Sequence, residues 1–183
     1  MKTPILKTPR LILRPITIDD APEVQKNFNN WNIIKYVTAP WPYPDDGART
    51  QIQDVLSEVQ KGNQLSWVII LKSTKEFIGR IDYCRLAEKN PKRGFWLAEP
   101  FQGKGFMTEA VCITQDYMFN QCGLEKITVR NLKGNVSSRR VKEKTGARFI
   151  GNKTEIVRGK EFKCDVWEVT KESWEEAKGR LSF

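Results

Sequence analysis

The feature that most narrows the fold is the stretch from Gly94 to Arg130. A β-rich run, GFWLA (94–98), passes through Glu99-Pro100-Phe101 into Gly103-Lys104-Gly105. A helical segment follows from about Lys104 to Gln121, closed by Gly123, and then a second β-run from Lys126 to Arg130. Strand, helix and strand in that order predict a crossover joining two parallel strands. The two glycines let the backbone come close to a ligand, and the helix start offers unpaired N–H groups and partial positive charge, which together suit a pyrophosphate. Lys104 adds a formal charge. A tight strand-to-helix turn accounts for the same spacing without any ligand. No Lys-Ser or Lys-Thr follows a GxxxxG, and GKGFMT lacks the third Rossmann glycine, so the Walker and dinucleotide fingerprints both fail.

The runs Ser66–Leu71 and Phe77–Tyr83, joined by the polar 72–76, precede Gly94–Ala98 and predict an antiparallel meander, so the sheet is mixed. Leu11–Arg14 is a short strand closed by Pro15, and Asp19-Asp20 open a helix through Ala21, Val24 and Phe28. The prolines of 39–44 force a loop. Ala48, Ile52, Val55, Leu56 and Val59 then mark one face of a helix over 45–61, ended by Gly62. A helix is predicted over Val136–Thr145 with Gly146 as its stop, then a short run Arg148–Ile150, a turn at 158–160 and a strand Lys163–Val169. Thr170 is placed to cap a last helix containing Trp174. With no repeat or linker, the 183 residues read as one domain, residues 1–183, of α/β (α+β) class, with a mixed, mostly antiparallel sheet and flanking helices.

The chain has no His and four widely spaced Cys with no CxxC pair. That removes most zinc and haem arrangements and every Ser-His or Cys-His nucleophile, so no metal is expected. The net charge of +9 favours anionic ligands without choosing among them. No apolar run exceeds about Trp67–Leu71, and the N-terminus shows no secretory pattern, so a soluble, cytoplasmic protein without membrane contact is expected.

Three segments, TPRLILRPITIDDA, GFWLAEPFQGKGFMTEA and NVSSRRVKEKTGARFIG, resemble the GNAT N-acetyltransferases, and within them the RimJ/RimL-like branch of ribosomal-protein alanine N-acetyltransferases. The likeness runs in order over nearly the whole chain. It implies the GNAT acyl-CoA N-acyltransferase fold, in which the parallel strands, here 94–98 and 126–130, splay apart, and it implies acetyl-CoA as cosubstrate. The amides of Gln102, Gly103, Lys104, Gly105 and Phe106 would hold the CoA pyrophosphate, with Met107 and Thr108 beside it. Backbone atoms of Trp96 and Leu97 would pair with the pantetheine arm, and an N–H at the splay would polarise the thioester. Asn135 and Ser138 would line the arm, Ser138 giving a proton to the departing thiolate. Asn135 equally suits an N-cap, and Glu109, in the first turn of its helix, suits the helix dipole. Arg139 and Arg140 are CoA-phosphate contacts or solvated side chains. Trp41 and Tyr43 are acceptor-site candidates or rigid aromatic packing.

The resemblance also exposes a departure. Related enzymes place a Glu two residues before the Gly of the GFWL-like strand as proton acceptor, and this chain has Lys92 there. Asp82 is the leading remaining carboxylate, ahead of Glu88 and Glu99. An α-amine of pKa near 8 is roughly a tenth neutral at pH 7, whereas a Lys amine near 10.4 is neutral about once in 2,500. The expected acceptor is therefore a protein N-terminal α-amine, ribosomal-protein-like, or a small amine of similar basicity. A homodimer is compatible with this reading. The competing readings are a CoA-binding relative without catalysis, which Lys92 favours, and a basic nucleic-acid-binding protein. Only the net charge favours the latter.

Overall fold

Period-two alternation in the strands and three-to-four spacing in the helices sort the apolar residues onto two faces of one sheet. The computed structural model describes residues 2–88 and 91–181. Strands β1 (Leu6–Lys7) and β2 (Leu11–Pro15) lead through a 3-10 turn to helices α1 (Ala21–Phe28), α2 (Trp31–Ile34) and α3 (Gly47–Gln60). The meander β3 (Gln64–Leu71), β4 (Phe77–Cys84) and β5 (Lys92–Leu97) follows, then α4 (Phe106–Asn120), β6 (Lys126–Leu132) and α5 (Val136–Lys144). The hairpin β7 (Arg148–Val157) and β8 (Lys160–Thr170) and helix α6 (Lys171–Lys178) complete the fold.

The eight strands run β1-β2-β3-β4-β5-β6-β8-β7, and every neighbouring pair is antiparallel except β5–β6. This is the mixed sheet expected from the crossover. The parity of β3 divides its side chains: Leu65, Trp67 and Ile69 join the core beneath α4 and α6, with Ala110, Val111, Phe119 and Trp174. Val68 joins the second core on the opposite face, with Val24 and Phe28 of α1 and Ile52 and Val55 of α3. Each fully buried side chain of this size contributes about 1.5–3 kcal/mol, which fixes both helical layers against the sheet.

Several boundaries differ from the expectations. Helix α4 begins at Phe106, two residues later than the pattern suggests, because Gly105 takes φ 79° and cannot be its first helical residue. β7 is ten residues long where only 148–150 reads as strand. Most of it is solvent-facing at the sheet edge and carries a bulge near Gly151, so neither continuous burial nor alternation marks it. α2 is a single turn capped by the Asn30 side chain, which accepts from the Asn32 N–H, too short to leave a periodic signal. Thr170 caps α6 as expected, with Ser173 answering in a capping box.

Candidate active site

The parallel pair β5–β6 is joined at only two positions, Lys92↔Thr128 and Arg93↔Val129, although both strands continue well beyond. Past Arg93 the strands separate. Ala98 N–H donates to Ile78 O of β4, so residues of the same parity on β5, Trp96 included, turn their backbone groups toward β4. Phe95 and Leu97 turn theirs toward the gap. On the far wall, Lys133 N–H bonds Lys163 O of β8, so by parity Arg130 faces the gap from β6. The backbone residue that shares the gap with Leu97 is thus Phe95. The Trp96 side chain lies on the α1–α3 face, its ring 5.0 Å from Phe28 and 5.7 Å from Phe77.

At the open end of the gap, Gly103 and Gly105 both adopt positive φ, 76° and 79°. Glu109 N–H is the first in α4 to find a carbonyl, that of Gly105 at 3.1 Å. Among the described residues the N–H groups of Gly103 through Thr108 have no backbone acceptor. Gln102 braces the turn, its N–H donating to Glu99 O at 3.2 Å and its side chain to Leu97 O at 2.9 Å. The side chains of Phe106 and Met107 are buried in the main core, which aims the freed amides outward. Beside them an open cavity of about 660 Å³ is lined by Gly105 and Thr108, by the cations Arg10, Lys144 and Arg180, and by one carboxylate, Glu143.

Arg10 and Glu109 hold this corner. Glu109, 3% exposed, accepts from Thr8 Oγ1 at 2.5 Å and from the Arg10 N–H at 3.0 Å, and pairs with Arg10 Nε at 2.6 Å. Burial alone would raise its pKa, but the hydrogen bonds from Thr8 and Arg10 hold it below the usual carboxylate value. The Arg10 guanidinium also donates to Lys104 O at 3.1 Å and lies 4.6 Å over the Phe106 ring. No local sequence signal marks Arg10, because its partners are about a hundred residues away.

On the other wall Asn135 caps α5, its Oδ1 accepting the Ser138 N–H at 3.1 Å. Ser138 is half-buried, and its Oγ accepts a hydrogen bond from Lys142 Nζ at 2.6 Å. Arg139 pairs with Glu143 at 2.7 Å, and it and Arg140 are exposed.

The opposite face of the sheet carries the acceptor candidates. Trp41 is 43% exposed and lies 5.2 Å from Trp31, itself beneath the Arg158 guanidinium at 5.4 Å. Arg158, in the β7–β8 turn, donates to the carbonyls of Ile34, Val37 and Ala39 at 2.9–3.1 Å and so fastens the loop that carries Trp41. Tyr43 is buried against Phe28, and its hydroxyl has no hydrogen-bond partner. Four carboxylates on or beside this face have partners. Asp82 Oδ1 accepts from Ser66 Oγ at 2.6 Å, Arg80 Nε at 2.9 Å and Gln64 at 3.3 Å. Glu99 takes the side-chain amides of Asn30 and Asn32, Glu88 pairs with Arg85, and Glu155 pairs with Arg130. Lys92 is pushed below the usual lysine pKa by burial and by Arg130 and Arg85.

A splayed parallel pair with a free-amide helix start at its mouth is a strand-shaped slot ending in an anion cradle. Residues 10–148 match the acetyltransferase (GNAT) domain. The chain belongs to the GNAT acetyltransferases. It is 31% identical over 145 residues to an uncharacterized N-acetyltransferase, YoaA of Bacillus subtilis, covering 78% of this chain and 82% of that one. The probable N-acetyltransferase YjcK of Bacillus subtilis is 28% identical over 149 residues, with the same coverage of 78% and 82%. Among solved structures, the ribosomal-protein-S5-alanine acetyltransferase of Vibrio fischeri superposes with a TM-score of 0.81 at 19% identity, over 93% of this chain and 98% of that one. Mycobacterium smegmatis RimJ, solved in complex with CoA-disulfide, gives 0.82 at 22% identity, over 93% and 87%.

As a GNAT enzyme the chain is an acetyl-CoA-dependent N-acetyltransferase, and its own residues fit that cosubstrate. Six unpaired amides and a cationic cavity suit the phosphates, and the edges of Phe95 and Leu97 suit the amides of the pantetheine arm. No group of acidic, Cys or His side chains among the described residues has the arrangement of a metal site, and no described helix is long and apolar enough to cross a membrane.

Proposed function

We propose that this GNAT enzyme acetylates α-amines, a ribosomal-protein-like N-terminus or a small amine of similar basicity, by direct transfer in a ternary complex. The observation that carries the reading is the engaged state of the acceptor-side carboxylates beside the cation Lys92. A face with Lys92 where a carboxylate base would stand, and with Asp82 held by Arg80, favours an amine that is already neutral, and an α-amine meets that condition about 250 times more often than a lysine side chain at pH 7. A positive environment lowers the pKa of a bound amine further.

In this mechanism the free amides of Gly103 to Thr108 and the backbone edges of Phe95 and Leu97 hold acetyl-CoA, with Gln102 bracing the turn and Asn135 orienting the start of α5. The Leu97 N–H stabilises negative charge as it grows on the thioester oxygen. The amine nitrogen attacks the carbonyl carbon, the C–S bond breaks, and Ser138 Oγ gives its proton to sulfur. The proton lost by the acetylated nitrogen passes to water, with Asp82 as the candidate to help. Trp41 lines the acceptor entrance, whereas Tyr43 supports it from the core. An acetyl-cysteine intermediate is disfavoured, since burial raises the pKa of all four thiols, that of Cys112 to about 12. The four cysteines are not joined in disulfides, which suits a reducing compartment, and we place the enzyme in the cytoplasm.

The structural neighbours named as ribosomal-protein acetyltransferases support a protein N-terminus as the acceptor class. The test is thiol release from acetyl-CoA with a panel of peptides starting in Ala, Ser or Met, polyamines and amino acids. Release with an N-terminal α-amine supports the reading, and release with polyamines alone overturns it. No release with any acceptor leaves a CoA-binding protein without catalysis.

A further inference from the structure

We propose that Lys142 is a positioning residue that supplies the proton Ser138 delivers to the CoA thiolate, so that the two form a donor dyad on α5. The inference rests on the acid role of Ser138 proposed above. A lysine is almost never fully buried unless it is paired with a carboxylate. Lys142 is 1% exposed, and its hydrogen bonds go to Ser138 alone, to Oγ at 2.6 Å and to the carbonyl at 3.5 Å. Their i, i+4 spacing stacks the two side chains on the face of α5 turned to the sheet.

The surroundings of the ammonium explain its state. Arg93 of β5 is 6% exposed, and its Nε and Nη2 have no hydrogen-bond partner, so a second cation shares the pocket without neutralisation. Phe95, also of β5, presents its ring 5.6 Å from Lys142 Nζ. Asp165 of β8 pulls in the opposite direction, and α4 contributes Gln115, which accepts from Arg93 and does not titrate. Tyr83 of β4 and Cys112 of α4, the other titratable groups around Arg93, have pKa values raised by burial and stay neutral at pH 7. Burial first, and then Arg93, push the Lys142 pKa down to about 7.

That arrangement answers a weakness in a lone serine acid. A thiol has a pKa near 8.5, whereas water, the nearest reference for a hydroxyl, stands near 15.7, so a hydroxyl that ends as an alkoxide gives up its proton steeply uphill. Backed by Lys142 the transfer runs downhill. The C–S bond breaks, sulfur takes the Ser138 hydroxyl proton, and Ser138 Oγ takes a proton from Lys142 Nζ. Lys142 is left as a neutral amine and regains a proton from solvent, balancing the one shed by the acetylated nitrogen.

The test compares turnover of the wild-type enzyme with that of Lys142→Met, which keeps the length of the stem and removes the ionising group, from pH 6 to pH 9 on one peptide. Titration of the acceptor amine cancels in the ratio. The dyad predicts a ratio of about 100 at pH 6, the size of a general-acid contribution, falling about tenfold from pH 6 to pH 8 as the wild-type loses its proton source. CoA affinity should change less than threefold. Lys142→Arg, which keeps a cation in place but holds its proton throughout, should show the same falling ratio and serves if the Met variant does not fold. A ratio near 1, or one independent of pH, overturns the dyad. If that result accompanies a slow Ser138→Ala enzyme, Ser138 remains the acid without Lys142. If Ser138→Ala itself turns over normally, the acid role of Ser138 falls and the dyad falls with it.

Discussion

Replacing Glu109 by Ala should unfasten the N-terminal strands from the phosphate turn. The carboxylate accepts from Thr8 Oγ1 and the Arg10 N–H in a site where Glu109 is 3% exposed. Hydrogen bonds to a charged group are worth about 1.5–3 kcal/mol each. The ion pair to Arg10 counts for less, because that side chain is 47% exposed and screened by solvent. A loss of about 3 kcal/mol follows, which for a chain of this size lowers Tm by roughly 6–12 °C. Since Arg10 also holds Lys104 O and covers Phe106, CoA should bind about 5–10-fold more weakly, a change of roughly 1–1.4 kcal/mol. The pH dependence has a definite sign. The folded pKa of Glu109 lies below its ordinary value, so this stabilisation is fully present above about pH 4.3 and is lost as pH falls through the folded pKa. Glu109→Ala should therefore lose less stability than the wild-type on acidification below pH 4.5. Thermal melts from pH 3 to 7 with calorimetric titration of CoA measure all three effects. A variant that melts within about 2 °C of wild-type and binds CoA equally would refute the clamp.

Gly105→Val must force a β-branched residue to φ 79°, at a cost of about 2 kcal/mol, and should weaken CoA binding at least about 30-fold by titration. Tyr43→Phe removes a buried hydroxyl that has no partner, and should raise stability by about 1 kcal/mol in urea melts with the acceptor KM unchanged. A higher KM would mean that the hydroxyl bonds the acceptor. Arg158→Ala frees three carbonyls of the acceptor loop, and should raise the acceptor KM several-fold while leaving the Kd for CoA within twofold.

What could be read from the chain follows the range of the interactions involved. The crossover, the glycine turn, the Asn135 and Thr170 caps and the helix over α3 are local patterns of hydrogen bonding and periodicity, and the structure contains each of them. The splay was implied by resemblance, but which residues face it is a matter of strand parity, and that places Phe95 rather than Trp96 beside Leu97. Tyr43 and Trp41 are alike in the sequence, yet a turn of two residues sends one into the core and leaves the other at the surface. Glu109 was legible as a helix-dipole carboxylate and not as a clamp, since Thr8 and Arg10 come from the other end of the chain. Lys142 looks like one more exposed lysine in KEKTG. Its only local signal is the four-residue spacing from Ser138.

Which nitrogen is acetylated separates an α-amine acceptor from a lysine one most directly. A single peptide beginning with alanine and carrying an internal lysine, incubated at pH 7 with the enzyme and acetyl-CoA, offers both amines at equal concentration, and tandem mass spectrometry locates the acetyl group. Acetyl is expected on the N-terminal nitrogen in excess of about 100 to 1, in line with the roughly 250-fold difference in neutral amine. Acetyl mainly on the lysine would show that a base removes its proton, and would contradict the reading of the acceptor face.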